Sequence, residues 1–454
     1  MGLLDALHAA RTGLGAASAG LRTTSQNVTN ASTLGYTRQR VEQSAQAPIR
    51  EVGVWLGSGV RVDRITRMAD TLVFGRVVAA AGDAKAAETQ FAALSGLEGM
   101  FEPTAGVGLR GAVDGIFAAF GRASSDPSDS GGRREVVAAL ATFTRTVSGI
   151  AQSLTAGIAE RDASITAHLD AANGDLAEVA TLNAAILAGG DGRSVGDLAD
   201  RRDLAIHRLA DSLGATFHVD PDGTTSVLVG GHAAVSGINA RTLSASGGNI
   251  LLSVDAGNVD VTADLRGAVG GERDARAVLV SWLADTDALV TGLAGALNAQ
   301  NAAGFTATGA PGGQLFTLPG SGSVAAGLKV NPAVVADPGL LAFAGAALAL
   351  PGDGNNLLLL RAVEDTVLVG GETASNFASS VVGRVASDTS LAELDAESTG
   401  AIAADVEALH ANLTSVDLDE EAVQLIQYQT AYQAAAKVIQ AADEMLRSLL
   451  QIVN

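Results

Sequence analysis

The chain has 454 residues, with 29 Lys and Arg against 49 Asp and Glu, and a formal net charge of −20. This balance opposes non-specific binding to nucleic acid and attraction to anionic membranes, because both need a basic surface. The sequence has no cysteine, so disulfides, thiolate zinc sites and cysteine nucleophiles are excluded. Only 4% of the residues are aromatic although 47% are hydrophobic, which favours closely packed helices over a core of large rings.

The N-terminal segment differs from a secretory signal. Its first eight residues contain Asp5 in place of a basic cluster, and their apolar residues are spaced rather than continuous, so we expect no cleavable signal peptide. The longest wholly apolar run, from Leu340 to Leu350, is short against the roughly 20 residues that a bilayer span needs. We therefore expect no transmembrane segment and no membrane insertion.

Apolar residues near the N-terminus recur with alternating steps of four and three. Seven of the eight residues at positions 3, 7, 10, 14, 17, 21, 24 and 28 are apolar, and a repeat that averages 3.5 residues predicts a left-handed coiled coil. We call this set the N-terminal seam. The residues predicted from it as an assembly interface are Leu3, Leu7, Leu14, Leu21 and Val28.

The C-terminus carries a matching pattern. Positions 425, 428, 432, 435, 439, 442, 446, 449 and 453 form the C-terminal seam, and all nine residues there are apolar or tyrosine. The same repeat predicts a second coiled-coil helix. The residues predicted from it as an assembly interface are Leu425, Tyr428, Tyr432, Ile439, Leu446, Leu449 and Val453.

Each seam could instead be the inner face of an ordinary amphipathic helix on its own domain. A lone helix of this length is marginal in water, so its apolar stripe must contact another element. We expect the two ends to pair with each other and then with neighbouring molecules. On this hypothesis the terminal helices are disordered in the monomer and become ordered when the seams are buried between subunits.

The middle of the chain mixes helical and β patterns. Alternation predicts a hairpin within 41–67, and strand–turn–strand patterns follow position 214 and again lie within 250–262. Helical periodicity is predicted for 69–97, 133–188, 275–299 and from 355 to the end, with Gly- and Pro-rich β or loop sequence over 304–352. The fold class is therefore α+β and multidomain: a long antiparallel helical rod with terminal coiled-coil helices and a β-rich inserted domain.

Three domains are predicted from this layout. They are a terminal coiled-coil domain of 1–40 plus 411–454, a helical rod of 41–213 plus 266–304 plus 353–410, and a β-rich outer insert of 214–265 plus 305–352.

The end of the first predicted helix carries a distinctive motif. Asn30 is a helix-ending residue, and Gly35 can take the left-handed conformation that a tight exit requires. Together with Asn27 and Tyr36, these residues make segment 25–40 resemble the N-terminal motif of flagellar axial proteins of the rod, hook and hook-associated families. The segment departs from that motif at positions 29 and 34, where Thr and Leu replace a small apolar residue and a common proline.

Four further segments narrow the resemblance to the hook-associated protein 1 family. Residues 125–137 resemble that family's connection into its long helix, and 195–204 resemble its Asp-Leu-x-Asp-x-Arg-Asp signature. Residues 297–305 and 416–440 are similar to its Asn-Ala-Gln and C-terminal segments. Together these matches are distributed over most of the chain outside 225–265 and 305–350.

The resemblance implies a structural subunit at the junction between flagellar hook and filament, located outside the cell after export as an unfolded chain. The expected partners are other copies of the chain, the hook protein, the next hook-associated junction protein, an export chaperone that guards the C-terminus and the type III export apparatus. The family's terminal helices form the inner tube of the axial structure, and its β insert faces outward. It is not an enzyme family, and no cofactor is expected.

The residues themselves point to no catalytic or metal site. The six histidines form no compact ligand pair, and Asp220-Pro-Asp-Gly lacks the spaced carboxylates of a calcium loop. Asp200, Arg201, Arg202 and Asp203 could be an acid and base, but such close opposite charges more often form structural ion pairs. We expect them to orient the long helix against the β domain.

Two alternatives remain open at this point. A sister axial protein, such as hook or distal-rod protein, would share the end motifs without the 195–204 region. A secreted adhesin or hydrolase with helical stalks would need a convergent polar pocket, which the sequence does not indicate.

Overall fold

The computed structural model describes residues 3–51, 54–101, 108–189, 192–255 and 257–453. Long helices occupy both ends of the chain and small sheets lie between them, which confirms the predicted α+β class. The helices are α1 (Leu3–Asn30), α2 (Thr71–Glu98), α3 (Leu109–Ala123), α4 (Ser130–Ala188), α5 (Gly192–Leu213), α6 (Gly267–Ala303), α7 (Val324–Gly327), α8 (Pro332–Ala336), α9 (Asn355–Ala362), α10 (Ala374–Thr414) and α11 (Leu418–Val453).

The strands are short and all pair antiparallel. They are β1 (Gln39–Ala45), β2 (Ile49–Glu51), β3 (Val54–Leu56), β4 (Val60–Arg67), β5 (Thr216–Val219), β6 (Thr225–Val229), β7 (His232–Ser236), β8 (Asn239–Ala240), β9 (Leu243–Ser246), β10 (Asn249–Val254), β11 (Gly257–Asp260), β12 (Phe316–Thr317), β13 (Lys329–Val330), β14 (Val367–Val369) and β15 (Glu372–Thr373).

One segment differs from the sequence-based expectation. The region after 355 is not wholly helical, because the adjacent Gly370 and Gly371, with φ of +60° and +83°, turn the chain between β14 and β15. Helix α4, by contrast, is continuous as predicted for 133–188, although it contains interior glycines. Burial of residues such as Leu140 and Leu176 along this helix outweighs the roughly 1 kcal/mol that each interior glycine costs.

The chain divides into two compact units. Unit 1 comprises Met1–Asp83, Leu169–Gly267 and Gly400–Asn454, and unit 2 comprises Ala84–His168 and Ala268–Thr399. The two segments grouped as one β-rich insert in the sequence analysis fall in different units, because 305–352 carries only the two-residue strands β12 and β13 and packs in the core of unit 2. The division into terminal, rod and insert domains stays a prediction about the assembled protein.

Unit 1 contains the terminal helices and most of the β structure. Strand β1 pairs with β4, with Gln39 opposite Arg67, and the β2–β3 hairpin lies between them in sequence. Strands β5 to β8 form a four-stranded sheet and β9 to β11 a three-stranded one. Both sheets are held by asparagines of α4: Asn183 exchanges hydrogen bonds with the backbone of Thr225, and Asn173 does so with that of Leu243.

Unit 2 has a single hydrophobic core with large rings. Trp282 packs edge-on against Phe101, and Phe143 packs edge-on against Phe316, with ring centroids 5.8 and 6.0 Å apart. Among the described residues, helix α6 is long and apolar enough to cross a membrane by length and composition. The longest wholly apolar run of the sequence lies elsewhere, so it did not indicate this helix. Because Trp282 and Leu289 of α6 are buried in this core, its apolar face is explained by packing within the unit.

Candidate assembly site

The two terminal helices of unit 1 pack against each other along their length. Gly20 lies against Tyr428 and Asn27 bonds to Glu421, so residue numbers rise along α1 as they fall along α11 and the pair is antiparallel. We call this element the terminal pair. Each helix covers part of the other's apolar face within one chain. The hypothesis that these helices become ordered only between subunits stays a prediction.

Small side chains let α1 come close to its neighbours. A Cβ atom at position 20 would overlap the ring of Tyr428, so the helices meet where α1 has no side chain. The buried residues of α1 are all small or medium-sized: Ala10, Ala16, Ala17, Gly20, Thr23, Thr24 and Asn27.

The N-terminal seam is buried at its small residues, Ala10, Ala17 and Thr24, and only partly at its larger ones. Leu3, Leu7, Leu14 and Leu21 are half-buried, and Val28 is 43% exposed. The predicted interface contains only the larger apolar residues of the seam, but the closest contact follows its smaller residues together with Gly20, because small residues permit closer approach of two helices. The leucines lie along the edge of the pair, where part of their surface stays open.

The C-terminal seam is the face of α11 that is less exposed. Among its predicted residues Leu425, Tyr428, Ile439 and Leu446 are half-buried, and Tyr432 is 40% exposed. The side chains of Leu449 and Val453 lie outside those that the structure describes. A role of both seams between subunits stays a proposal.

A second apolar stripe runs along another face of α11. Val423, Ile426, Val438 and Met445 are 55%, 61%, 46% and 52% exposed. At 100° per residue these positions cover about 120° of the helix surface, and their centre lies roughly 130° from the centre of the C-terminal seam, with Val438 nearest to the seam. The sequence analysis missed this outer stripe because the regular seam accounted for the amphipathic pattern. Its signal was a second set of apolar residues, separated by 3, 12 and 7 positions.

Asn27 is the central polar contact of the terminal pair. Its Nδ2 donates to the backbone oxygen of Gln39 at 2.9 Å and to Oε2 of Glu421 at 3.1 Å. Its Oδ1 accepts from the Tyr36 hydroxyl at 2.8 Å and from the backbone nitrogen of Gln39 at 3.0 Å. These bonds use the full capacity of the amide, so one buried side chain joins α1, strand β1 and α11.

The other motif residues form the turn that brings Tyr36 to Asn27. Asn30 ends α1, and its Oδ1 accepts a 3.3 Å hydrogen bond from Thr33 Oγ1. Gly35 has a φ of +75°, in the left-handed region that favours glycine. Burial, followed by the nearby charges of Asp200, Asp197 and Glu421, raises the pKa of Tyr36 far above its ordinary value, so its hydroxyl remains a hydrogen-bond donor. The motif predicted as axial is thus a structural turn with a defined partner.

An ion-pair cluster fixes the start of α11 beside β1. Arg38 donates from Nε to Glu421 and from its terminal nitrogen to Glu420, both at 2.8 Å. Glu421 is only 1% exposed, and the Arg38 backbone nitrogen also donates to the Thr414 oxygen at 2.9 Å. Removing one partner of such a buried pair lowers the free energy of unfolding by more than the intact pair contributes to it, because the other charge is left buried without a partner. The sequence analysis did not identify Arg38 or Glu421.

Asp200 and Asp203, the acidic residues of the charged segment 200–203, bind strand β4. Arg67 donates to Asp200 at 2.7 Å and to Asp203 at 2.6 Å, and Asp200 also accepts from the backbone nitrogen of Thr37 at 3.2 Å. The burial of Asp200 raises its pKa despite the opposing effect of Arg67. These carboxylates attach α5 to the hairpin next to the motif.

The basic residues of the same segment face other elements. Arg202 donates to Oδ1 of Asn183 at 3.1 Å and to the Gly223 oxygen at 3.0 Å, which connects α5 with α4 and with the turn before β6. Arg201 is exposed and reaches Glu178 at 3.5 Å. None of these contacts places the four charged residues in pairs with one another. The prediction of structural ion pairs stays a proposal for the assembled protein, and these are the contacts that support it.

Two family models match the chain. The description "Flagellar hook-associated protein FlgK helical domain" matches residues 94–316, and "Flagellar basal body rod FlgEFG protein C-terminal" matches residues 413–452, which include most of α11. The chain belongs to the flagellar hook-associated protein 1 family. The family is made of structural proteins of the bacterial flagellum, which confirms the resemblance stated from the sequence.

Curated relatives agree along most of the chain. The flagellar hook-associated protein 1 of Bacillus subtilis strain 168 is 25% identical and covers 98% of this chain and 97% of its own length. The protein of the same name from Escherichia coli strain K12 is 27% identical over 69% of this chain, which spans 60% of that relative.

A solved structure supports the fold. The flagellar hook junction protein FlgK of Burkholderia pseudomallei superposes with a TM-score of 0.66 over 76% of this chain and all of that chain, at 15% sequence identity.

Proposed function

We propose that the chain is a structural subunit that joins the flagellar hook to the filament and assembles through the terminal pair. The outer stripe of α11 carries this proposal, because four large apolar side chains stay exposed although the other face of the helix is engaged by α1. Burying an apolar side chain fully contributes about 1.5–3 kcal/mol. Several half-exposed side chains on one face therefore favour a helix–helix contact with another subunit.

The terminal pair presents two kinds of surface to such a partner. The half-buried leucines of α1 lie along one edge, and the outer stripe lies on α11. Both are long in the direction of the helices, which suits the side-by-side packing of helical pairs around an axis. The Asn27 and Arg38 contacts hold the pair at its base and so fix the orientation in which both surfaces are displayed.

The partners proposed for this subunit are further copies of the chain, the hook protein, and the next hook-associated junction protein. We also propose that the chain leaves the cell through the type III export apparatus with a dedicated chaperone and acts in the extracellular flagellum. The lack of cysteine agrees with passage as an unfolded chain, since no disulfide has to be opened or formed. We propose no catalytic activity for it.

The alternatives are not favoured. A hook or rod protein would share the C-terminal match at 413–452, but the match over 94–316 belongs to the hook-associated helical domain. An adhesin or hydrolase has no support among the relatives, which are named as flagellar proteins.

The experiment compares two aspartate substitutions two residues apart on α11. Val438→Asp places a charge in the outer stripe, whereas Gln440→Asp changes an exposed polar residue on another face. In cells that lack their own copy, we expect Val438→Asp to abolish incorporation at the hook tip and motility, and Gln440→Asp to keep both. Both purified monomers should unfold like the unsubstituted protein. Normal incorporation of Val438→Asp would refute assembly through the outer stripe.

A further inference from the structure

The β2–β3 hairpin of unit 1 carries a solvent-exposed tryptophan. Trp55 is 66% exposed. Its partner in the hairpin register is Arg50, whose guanidinium carbon lies 6.0 Å from the ring centroid. A large exposed apolar side chain marks an interaction surface more often when it forms part of a cluster, and Ile49 beside it is 55% exposed. Trp and Arg are also the residues that dominate binding energy in protein interfaces.

A cleft of about 550 Å³ lies elsewhere in unit 1, lined by α2, α5, β5 and the end of α10. Its apolar wall is aromatic: the ring of Phe74 is 5.1 Å from that of Phe217 and 5.7 Å from that of His410. Val219 lies at the same wall and is 40% exposed. This volume lies in the range of clefts that enclose a ligand or a large side chain.

The charges of the cleft favour a cation. The carboxylates that line it are Asp70, Asp200, Asp203, Asp211 and Glu407, against the guanidinium groups of Arg67, Arg202 and Arg208. Arg208 is engaged by Asp175 and Glu178, which do not line the cleft. Glu407, with a side chain 60% exposed, lies 3.9 Å from Nε2 of His207. The cleft therefore combines an aromatic wall with an excess of negative charge.

We propose that Trp55 and Arg50 of one copy dock in this cleft of a neighbouring copy. The ring of Trp55 packs against Phe74 and Phe217, and the guanidinium of Arg50 meets the acidic rim near Glu407. The proposal rests on the proposed function, since it requires copies of the chain to lie side by side. Because the exposed Trp55 and the cleft are different surfaces of one molecule, the contact is heterologous and repeats from copy to copy around a ring or helix.

The absence of native cysteine makes a crosslinking test specific. One variant carries Ile49→Cys, which leaves Trp55 and Arg50 intact, and the other carries Val219→Cys at the cleft wall. Both variants are expressed together in cells without a native copy, and isolated flagella are treated with a short bismaleimide. A matched control replaces Val219→Cys by Asp255→Cys, a position whose side chain is 97% exposed and does not line the cleft.

We expect a crosslinked dimer from Ile49→Cys with Val219→Cys, at least about tenfold more abundant than from either variant alone or from the control pair. Adding Trp55→Ala to the Ile49→Cys chain should lower the dimer about tenfold, as for truncation of an interface anchor. Chains that incorporate but crosslink no better than the control pair would overturn this contact and leave the proposed function standing. Chains that never reach the hook tip would overturn the proposed function and the contact with it.

Discussion

The terminal pair and the core of unit 2 differ in the size of the side chains that they bury. Unit 2 buries its largest side chains completely, among them Trp282 and Phe143. The terminal pair places small residues and an asparagine at its closest contact and leaves larger apolar side chains at its edge and on its outer face. The difference teaches that the large rings of unit 2 find their packing partners within the chain, whereas the larger apolar side chains of the terminal pair remain available to another subunit.

The largest expected effect concerns the core of unit 2. Phe143→Ala removes a fully buried ring that packs against Phe316, so we expect the free energy of unfolding of this unit to fall by about 3–5 kcal/mol. Urea denaturation followed by Trp282 emission measures it in a Trp55→Phe background, where the remaining tryptophan reports on unit 2. Phe143→Leu is the control and should cost clearly less. A loss below about 1 kcal/mol for Phe143→Ala would mean that this core is not closely packed.

The terminal pair should instead depend on its polar contacts. Asn27→Ala leaves the Tyr36 hydroxyl, the Gln39 backbone and Glu421 without a partner that each now has, and we expect local opening to become about 3 kcal/mol easier. Amide hydrogen exchange at β1 and the first turns of α11 measures this opening. Asn30→Ala, which removes only contacts local to the end of α1, is the matched control with a small effect. Equal exchange in the two variants would contradict the role assigned to Asn27.

Alanine substitutions at two glycines of α1 distinguish the effect of close helix contact from the effect of helix propensity. Gly20→Ala brings a methyl group into the ring of Tyr428, while a Cβ at Gly15 meets nothing within 4 Å. We expect Gly20→Ala to destabilise the terminal pair by about 1–3 kcal/mol through overpacking, and Gly15→Ala to stabilise α1 by about 0.5–1 kcal/mol. Hydrogen exchange of α1 checks both signs. Stabilisation by both substitutions would mean that α1 and α11 do not meet at Gly20.

The smallest expected effect is on pH dependence and involves two histidines of unit 1. The hydrogen bond to Asp211 raises the pKa of His207 against the effect of burial, with Asp211 and Glu407 adding to it, so its contribution to stability is present below the unfolded pKa of about 6.5 and lost as pH rises through the folded pKa. Burial lowers the pKa of His410, so its contribution is present above about 6.5 and lost as pH falls.

Replacing one histidine should therefore leave the pH dependence of stability that the other histidine contributes. Between pH 5.5 and 7.5, His207→Gln should gain stability with rising pH relative to the unsubstituted protein, and His410→Gln should lose it. Thermal denaturation across this range measures the two slopes, and slopes of the same sign would contradict the assigned environments.

The same contrast explains how far the sequence could be interpreted. Helical periodicity predicted the terminal helices, α2 and α4, and strand alternation predicted the hairpins. Each of these elements depends mainly on its own apolar pattern. The partners of Asn27 and Arg38 could not be predicted, since Glu421 lies almost 400 residues further along the chain and no local spacing connects them. The leucines of α1 form the predicted interface, but the contact follows the alanines of the same seam together with Ala16 and Gly20, because backbone approach is set by the smallest residues.

The central claim is that the outer stripe of α11 is open in the free chain and covered in the flagellum. Since the chain has no cysteine, a Val438→Cys variant carries a single thiol whose rate of maleimide labelling reports on this face. We predict rapid labelling in the purified monomer and strong protection in isolated flagella that contain the variant. Labelling at the same rate in both states, or protection already in the monomer, would contradict assembly through this surface.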